Sequence, residues 1–211
     1  MKYTHLIWDF NGTIFNDVEA GIISVNKMLC ERGLNAIPSV EHYRSIFDFP
    51  IEDYYRGLGF DFEREPYEVL APIWVALYNQ NAESSQLCDG VIGTMQRVRE
   101  LGMEQLVLSA CELGMLNRYL EKLGARQYLG EVIGLDNIHA RSKIAEALEW
   151  RKRNPDARAL MIGDTTHDFE TAKALGADCV LFAGGHQSRE KLSRCGCPVI
   201  DTIPEILDYL K

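Results

Sequence analysis

With 211 residues, 46% of them hydrophobic and 25% charged, the chain has the composition of a folded globular protein with room for one main core and a smaller appended unit. Its formal net charge of −9 opposes polyanions, so neither nucleic acid nor an anionic membrane surface is expected as a partner. A small anion stays admissible where a cation shares its site.

The six cysteines are scattered, and Cys195 and Cys197, the one close pair, match neither a zinc nor a thioredoxin spacing; reduced thiols are expected. The N-terminal residues lack a cationic stretch followed by a long apolar core, and no later run approaches a membrane span. A cytoplasmic protein is the expectation.

In chain order, residues 3–8 form an apolar run with the character of a buried strand, which stops at Asp9 and the polar turn Asn11-Gly12-Thr13. Val18, Ile22, Val25 and Leu29 then recur at helical spacing, with Asn16 or Asp17 as N-cap and Gly33 as the stop. Residues 34–88 change character, with Pro38, Pro50, Pro66 and Pro72, many aromatics and no alternating run. Short helices are predicted over 39–47 and 51–58, and a longer one from Tyr67 through Tyr78 that Pro72 should kink. Residues 15–88 are therefore read as a helical domain inserted into a core formed by 1–14 and 89–211.

From Val91 onward the pattern alternates. Helices are predicted over 91–101, 112–123, 142–151, 169–175, 188–194 and 204–210; strands over 105–108, 132–133, 159–162, 179–182 and 199–200. Strands alternating with helices give an α/β fold, a doubly wound parallel sheet covered on both faces. Ligands in such sheets bind outside the carboxyl ends of the strands. Asp9, Ser109 and Asp164 each end an apolar run at that edge, and Lys143 starts a nearby helix.

Those residues resemble the motifs of the haloacid dehalogenase superfamily, in particular its phosphoglycolate phosphatase-like members. The first motif is similar to Asp9-Phe10-Asn11-Gly12-Thr13, the second to Ser109 after its strand, the third to Lys143, and the fourth to the stretch from Gly163 and Asp164 to Asp168. The insertion at 15–88 sits where that family carries a cap. The resemblance implies a Mg2+-dependent phosphatase acting on a small phosphorylated metabolite through an aspartyl-phosphate, as a monomer or homodimer.

By the same resemblance, Asp9 is the nucleophile, Ser109 donates to a phosphoryl oxygen and Lys143 neutralises charge while restraining Asp9. Asp9, Asp164 and the main-chain carbonyl of Asn11 hold Mg2+, with Asp168 behind them. Gly12, Thr13 and Ala110 join Ser109 and Lys143 in binding substrate, the N–H groups around Asn11 to Thr13 forming an anion nest. Arg44 is the insertion's candidate for substrate contact, beside Tyr43, Tyr54, Tyr55 and Arg56. His167 is assigned a helix N-terminal polar role, and Gly184-Gly185-His186 a strand-to-helix turn near the catalytic edge.

Position 11 departs from the family pattern. Its phosphatases carry a second Asp there to protonate the leaving oxygen and activate water, and loss of such a group costs ~10²- to 10⁴-fold. Three readings stay open: a slow or specialised phosphohydrolase, a catalytically silent binding or regulatory protein, and another family chemistry such as phosphonate hydrolysis or phosphomutase activity. Asn11-Gly12 is also a dipeptide prone to deamidation.

Overall fold

The computed structural model describes residues 2–138 and 142–210. Strands β1 (His5–Trp8), β2 (Glu104–Glu112), β3 (Glu131–Leu135), β4 (Ala159–Gly163), β5 (Asp178–Phe182) and β6 (Val199–Ile200) form one parallel sheet ordered β3-β2-β1-β4-β5-β6. Winding reverses at β1, which pairs with β2 on one side and β4 on the other. Trp8 is in register with Val107 and with Ile162. Asp9, Ser109 and Asp164 therefore lie at the same end of the sheet and nearly the same level.

The two-residue period of β1 sorts its side chains onto opposite faces. Leu6 and Trp8 join Val107, Leu160 and Ile162 in a core closed by α5 (Val91–Glu100) and α6 (Leu113–Lys122). Ile7 faces the other way, with Leu106, Leu108 and Met161, under α7 (Ile144–Arg153) and α8 (Thr166–Leu175). This is the covered α/β sheet that the alternation of strands and helices predicts.

Between β1 and α5 lie α1 (Val18–Glu31), α2 (Val40–Ile46), α3 (Ile51–Gly57) and α4 (Tyr67–Asn81). They bury a third cluster of their own, including Val25, Met28 and Leu29 from α1, Tyr54 and Tyr55 from α3, and Leu70 from α4. Helix α4 runs unbroken through Pro72, where a kink or restart was expected. Pro72 lies on the solvent-facing side, so water can replace the donor it lacks.

Other details also differ from expectation. Strand β2 continues past Ser109 to Glu112, with an irregular register between Leu108 and Glu112. Helix α8 starts at Thr166, ahead of the predicted Phe169, because Thr165 and Asp168 form a reciprocal capping box. The last segment, Ile203–Tyr209, is a 3₁₀ helix; Ile203 and Ile206, three residues apart, both reach the core, as a three-residue repeat requires. Among the described residues no helix is long and apolar enough to cross a membrane.

Candidate active site

A parallel sheet with its switch point at β1 places the ends of β1 and β4 side by side, and their terminal acids meet there. Asp9, Asp164 and Asp168 are all buried, each offering an oxygen within 4.8 Å of the others. The Lys143 ammonium, 2% exposed, binds Asp9 Oδ1, donates to Asp168 Oδ1 at 2.5 Å and donates to the Leu108 carbonyl at 3.0 Å. Burial and then the Asp168 charge push the Asp9 carboxyl well above the ordinary carboxylate range, against the pull of Lys143. Burial pushes Asp164 up to about 6. Asp168, although buried, is held below its usual value by the Lys143 charge and by hydrogen bonds from Lys143 and Thr165.

One lysine, bonded to Asp9 and Asp168, thus stands against three buried carboxylates, and the cluster carries uncompensated negative charge. A hard divalent cation with oxygen ligands fits that donor set. Asp168 is already engaged at both oxygens, since Oδ2 accepts the N–H of Asp164 at 3.1 Å, the N–H of Thr165 at 2.9 Å and the Thr165 hydroxyl at 2.6 Å. It holds the Asp164 turn and Lys143 in place. Asp164 is fixed by the Thr13 hydroxyl at 3.1 Å and the His186 N–H at 2.6 Å. The chain passes so close that a Cβ on Gly12, whose φ is +72°, would lie 2.3 Å from Asp164 Oδ2, and one on Gly185 2.2 Å from it.

The turn after β1 takes Gly12 and Thr13 out of the expected anion nest. Gly12 N–H donates to the Phe15 carbonyl at 2.8 Å and to Asp17 Oδ1 at 2.7 Å, and Thr13 N–H donates to the Phe10 carbonyl at 3.2 Å. The positive φ at Gly12 folds these donors into the turn itself. Thr13 reaches the site only through Asp164.

The Asn11 amide is equally committed. Its Nδ2 donates to Asp17 Oδ2 at 2.7 Å and to the Tyr78 hydroxyl at 2.9 Å, while that hydroxyl donates to Asp17 Oδ2 at 2.6 Å. Asp17 occupies the N-cap position of α1 without capping it; the side chain turns into the site instead. His186 Nε2 lies 3.3 Å from Asp17 Oδ1, and its Nδ1 pairs with the Tyr43 hydroxyl at 2.8 Å. Despite burial, Asp17 raises the His186 imidazole to about 9, and His186 in turn holds Asp17 below its usual value. The two form a buried ion pair. Of these site residues, the sequence offered Asp17 as an N-cap, His186 as part of a turn near the catalytic edge and Tyr78 as a helix residue, and it gave none of them a part in the site's charge network.

Asp9, Asn11, Ser109, Ala110, Lys143, Asp164 and Asp168 all line one cavity of about 150 Å³ beneath α1, α3 and α4. Ser109 Oγ accepts the Cys111 N–H at 3.0 Å, which leaves its own proton free to donate. His167 is buried at the start of α8, its Nε2 accepting the Lys143 N–H at 3.4 Å and its ring stacked on Phe49 at 4.8 Å. Arg44 does not line the cavity: its guanidinium donates to the carbonyls of Gly185 at 2.8 Å and Gly184 at 2.6 Å, tying α2 to the loop after β5. Arg56 is an exposed partner of Asp53 at 2.7 Å. Of the insertion's candidates, Tyr43, Tyr54 and Tyr55 remain at the cavity.

A six-stranded parallel sheet with acids gathered at its switch point defines an α/β enzyme fold. The chain belongs to the haloacid dehalogenase-like hydrolase family, whose sequence model matches residues 6–182. It is 27% identical over 187 residues to the phosphoglycolate phosphatase of Rhodobacter capsulatus, covering 86% of this chain and 85% of that protein. It is 23% identical over 212 residues to the tyrosine-protein kinase PtkA of Mycobacterium tuberculosis, covering 97% of this chain and 72% of that one. A haloacid dehalogenase-like hydrolase from Streptococcus pneumoniae superposes with a TM-score of 0.84 at 16% identity, over 100% of this chain and 99% of that chain.

Proposed function

We propose that the chain is a Mg2+-dependent phosphatase that hydrolyses a small phosphorylated metabolite through an aspartyl-phosphate on Asp9. The observation carrying this reading is the gathering of Asp9, Asp164, Ser109 and Lys143 around one cavity at the carboxyl edge of the sheet. Helices α1 to α4 act in this reading as a cap over that edge. Asp9 and Asp164, with the Asn11 main-chain carbonyl, would hold the cation, and Asp168 would support them. When bound, Mg2+ supplies positive charge that offsets the phosphoryl oxygens.

In the first step an Asp9 carboxylate oxygen forms a bond to phosphorus while the ester P–O bond breaks, its electron pair leaving with the alcohol oxygen. Ser109 donates to a phosphoryl oxygen. Lys143, held between Asp9 and Asp168, aims the carboxylate and offsets charge on the transferred group. In the second step a water oxygen bonds to phosphorus and the bond to Asp9 breaks, restoring the carboxylate and releasing phosphate that carries the water's protons to solvent, from which the departed alkoxide takes one.

Asn11 shapes both steps. An amide shuttles no proton, and here both of its N–H bonds are spent on Asp17 and Tyr78. The leaving oxygen therefore departs without protonation from position 11, which favours alcohols of low proton affinity. Acid-quenched protein incubated with phenyl phosphate and Mg2+ should carry one phosphoryl group on the peptide containing Asp9. Asp9→Asn should lose that adduct and phosphate release by at least ~10³-fold; release that survives Asp9→Asn removes the nucleophile assignment.

A further inference from the structure

The two walls of the cavity offer a bound molecule different things. The sheet side presents the acids, Ser109 and Lys143. The opposite wall includes Val25, Phe49, Tyr54, Tyr55, Trp74 and Val75, and among the described residues the insertion contributes neither lysine nor arginine to it. The basic side chains lining the cavity are committed, Lys143 to Asp9 and Asp168, His186 to Asp17 and Tyr43, and His167 to the Lys143 N–H and the Phe49 ring. Acids are in surplus, because Glu112 lines the cavity as well and Asp17 already takes up the charge of His186. A carboxylate or second phosphate on the substrate would be desolvated against rings and like charge.

The size of the space and one orphaned polar atom narrow the fit. The cavity as a whole, including the part bounded by Asp9, Ser109 and Lys143, measures about 150 Å³, comparable with one that takes up benzene, so what lies beside a phosphoryl group there can be no larger than a single ring. The Tyr54 hydroxyl is buried without a hydrogen-bond partner, at a residue only 6% exposed. It is an unpaired polar atom on a wall whose surface is otherwise mostly ring and aliphatic carbon. The commitment of the Asn11 amide points the same way from a separate direction, since phenolic oxygens leave with little need of a proton.

We infer that the substrate is a phosphate monoester whose other half is small, uncharged and apolar, on the scale of one aromatic ring, and that doubly anionic phosphates such as phosphoglycolate are selected against. This rests on the phosphatase reading of the site and specifies the class of ester it takes. Aromatic faces of Tyr54, Tyr55 and Trp74 receive the ring, and the phosphoryl group is left at Asp9.

The test separates recognition from turnover. Calorimetric titration of the Mg2+-loaded protein compares three inert ligands: methylphosphonate, benzylphosphonate and phosphonoacetate. Benzylphosphonate should bind about tenfold or more tighter than methylphosphonate, as burial of a ring predicts, while phosphonoacetate gains nothing over methylphosphonate. Val75→Arg, on the half-buried face of α4, should tighten phosphonoacetate by about tenfold and erase the advantage of benzylphosphonate. The wild-type comparison decides even where this variant fails to fold.

Phosphonoacetate binding as tightly as benzylphosphonate overturns the inference, and so does a kcat/KM for phosphoglycolate above that for phenyl phosphate. Benzylphosphonate binding as expected with no hydrolysis of phenyl phosphate upholds the recognition claim and removes the phosphatase reading beneath it.

Discussion

The sheet edge and the helical insertion face each other across one cavity and are built on opposite principles. At the sheet edge nearly every polar atom is tied to another: Lys143 to two acids, Thr13 to Asp164, Asn11 to Asp17 and Tyr78. The insertion presents rings, and its arginines are turned away, Arg44 to the loop after β5 and Arg32 to Glu65 at 2.6 Å. A rigid, preorganised charge cluster suits a fixed reaction. In the reading proposed above, a wall of rings would set what sits beside the phosphoryl group.

The contrast can be broken most sharply at position 11. Asn11→Asp should raise turnover of alkyl phosphates by about 10²-fold and that of phenyl phosphate far less, because only the former need a proton delivered. Equal gains on both esters, read as steady-state phosphate release, would sever the link between Asn11 and the leaving group. Next comes the charge cluster itself. Mg2+ at 100 times its Kd should stabilise the wild type by about 2.7 kcal/mol in thermal unfolding, and Asp164→Asn should lose most of that gain. An unchanged Mg2+ effect in Asp164→Asn would place the cation elsewhere.

A smaller effect is expected on the insertion side. Arg44→Ala should cost about 1–3 kcal/mol of stability through two lost charge-assisted bonds, with KM for phenyl phosphate little changed. A raised KM without loss of stability would return Arg44 to substrate binding. The smallest is the Arg32–Glu65 pair, where Arg32 holds the Glu65 carboxyl below its usual value. A depressed folded-state pKa stabilises above the unfolded value and is lost as pH falls through the folded one. Glu65→Gln should therefore remove about 0.5 kcal/mol at neutral pH and almost nothing in acid, measured by urea unfolding across that range.

The sheet was legible because its signals are local. Apolar runs of strand length stop at Asp9, Ser109 and Gly163-Asp164, helices alternate with them, and one sheet geometry then brings their ends together. Lys143 was visible through its motif. What escaped notice depends on contacts that no window of sequence contains. Asp17 looked like an N-cap, and only the fold carries His186, 169 positions along the chain, to it. Arg44 looked like a substrate ligand because a guanidinium seeks anions, but two backbone carbonyls of a distant loop satisfy it first. The N–H groups of Gly12 and Thr13 looked available because the sequence does not say that the turn closes on Phe10 and Phe15. The apolar wall likewise draws its residues from separate helices, so no single segment announced it.

The loop after β5 has two attachments. Its His186 N–H holds Asp164, while its Gly184 and Gly185 carbonyls, the His186 ring and Gln187 are gripped by or grip Arg44, Tyr43 and Phe47 in and beside α2. Whatever lifts α2 from the sheet must pull on the same few residues that set the Asp164 carboxylate. In the metal-dependent reading proposed above, a displacement of the insertion would therefore be felt at the carboxylate that holds the ion.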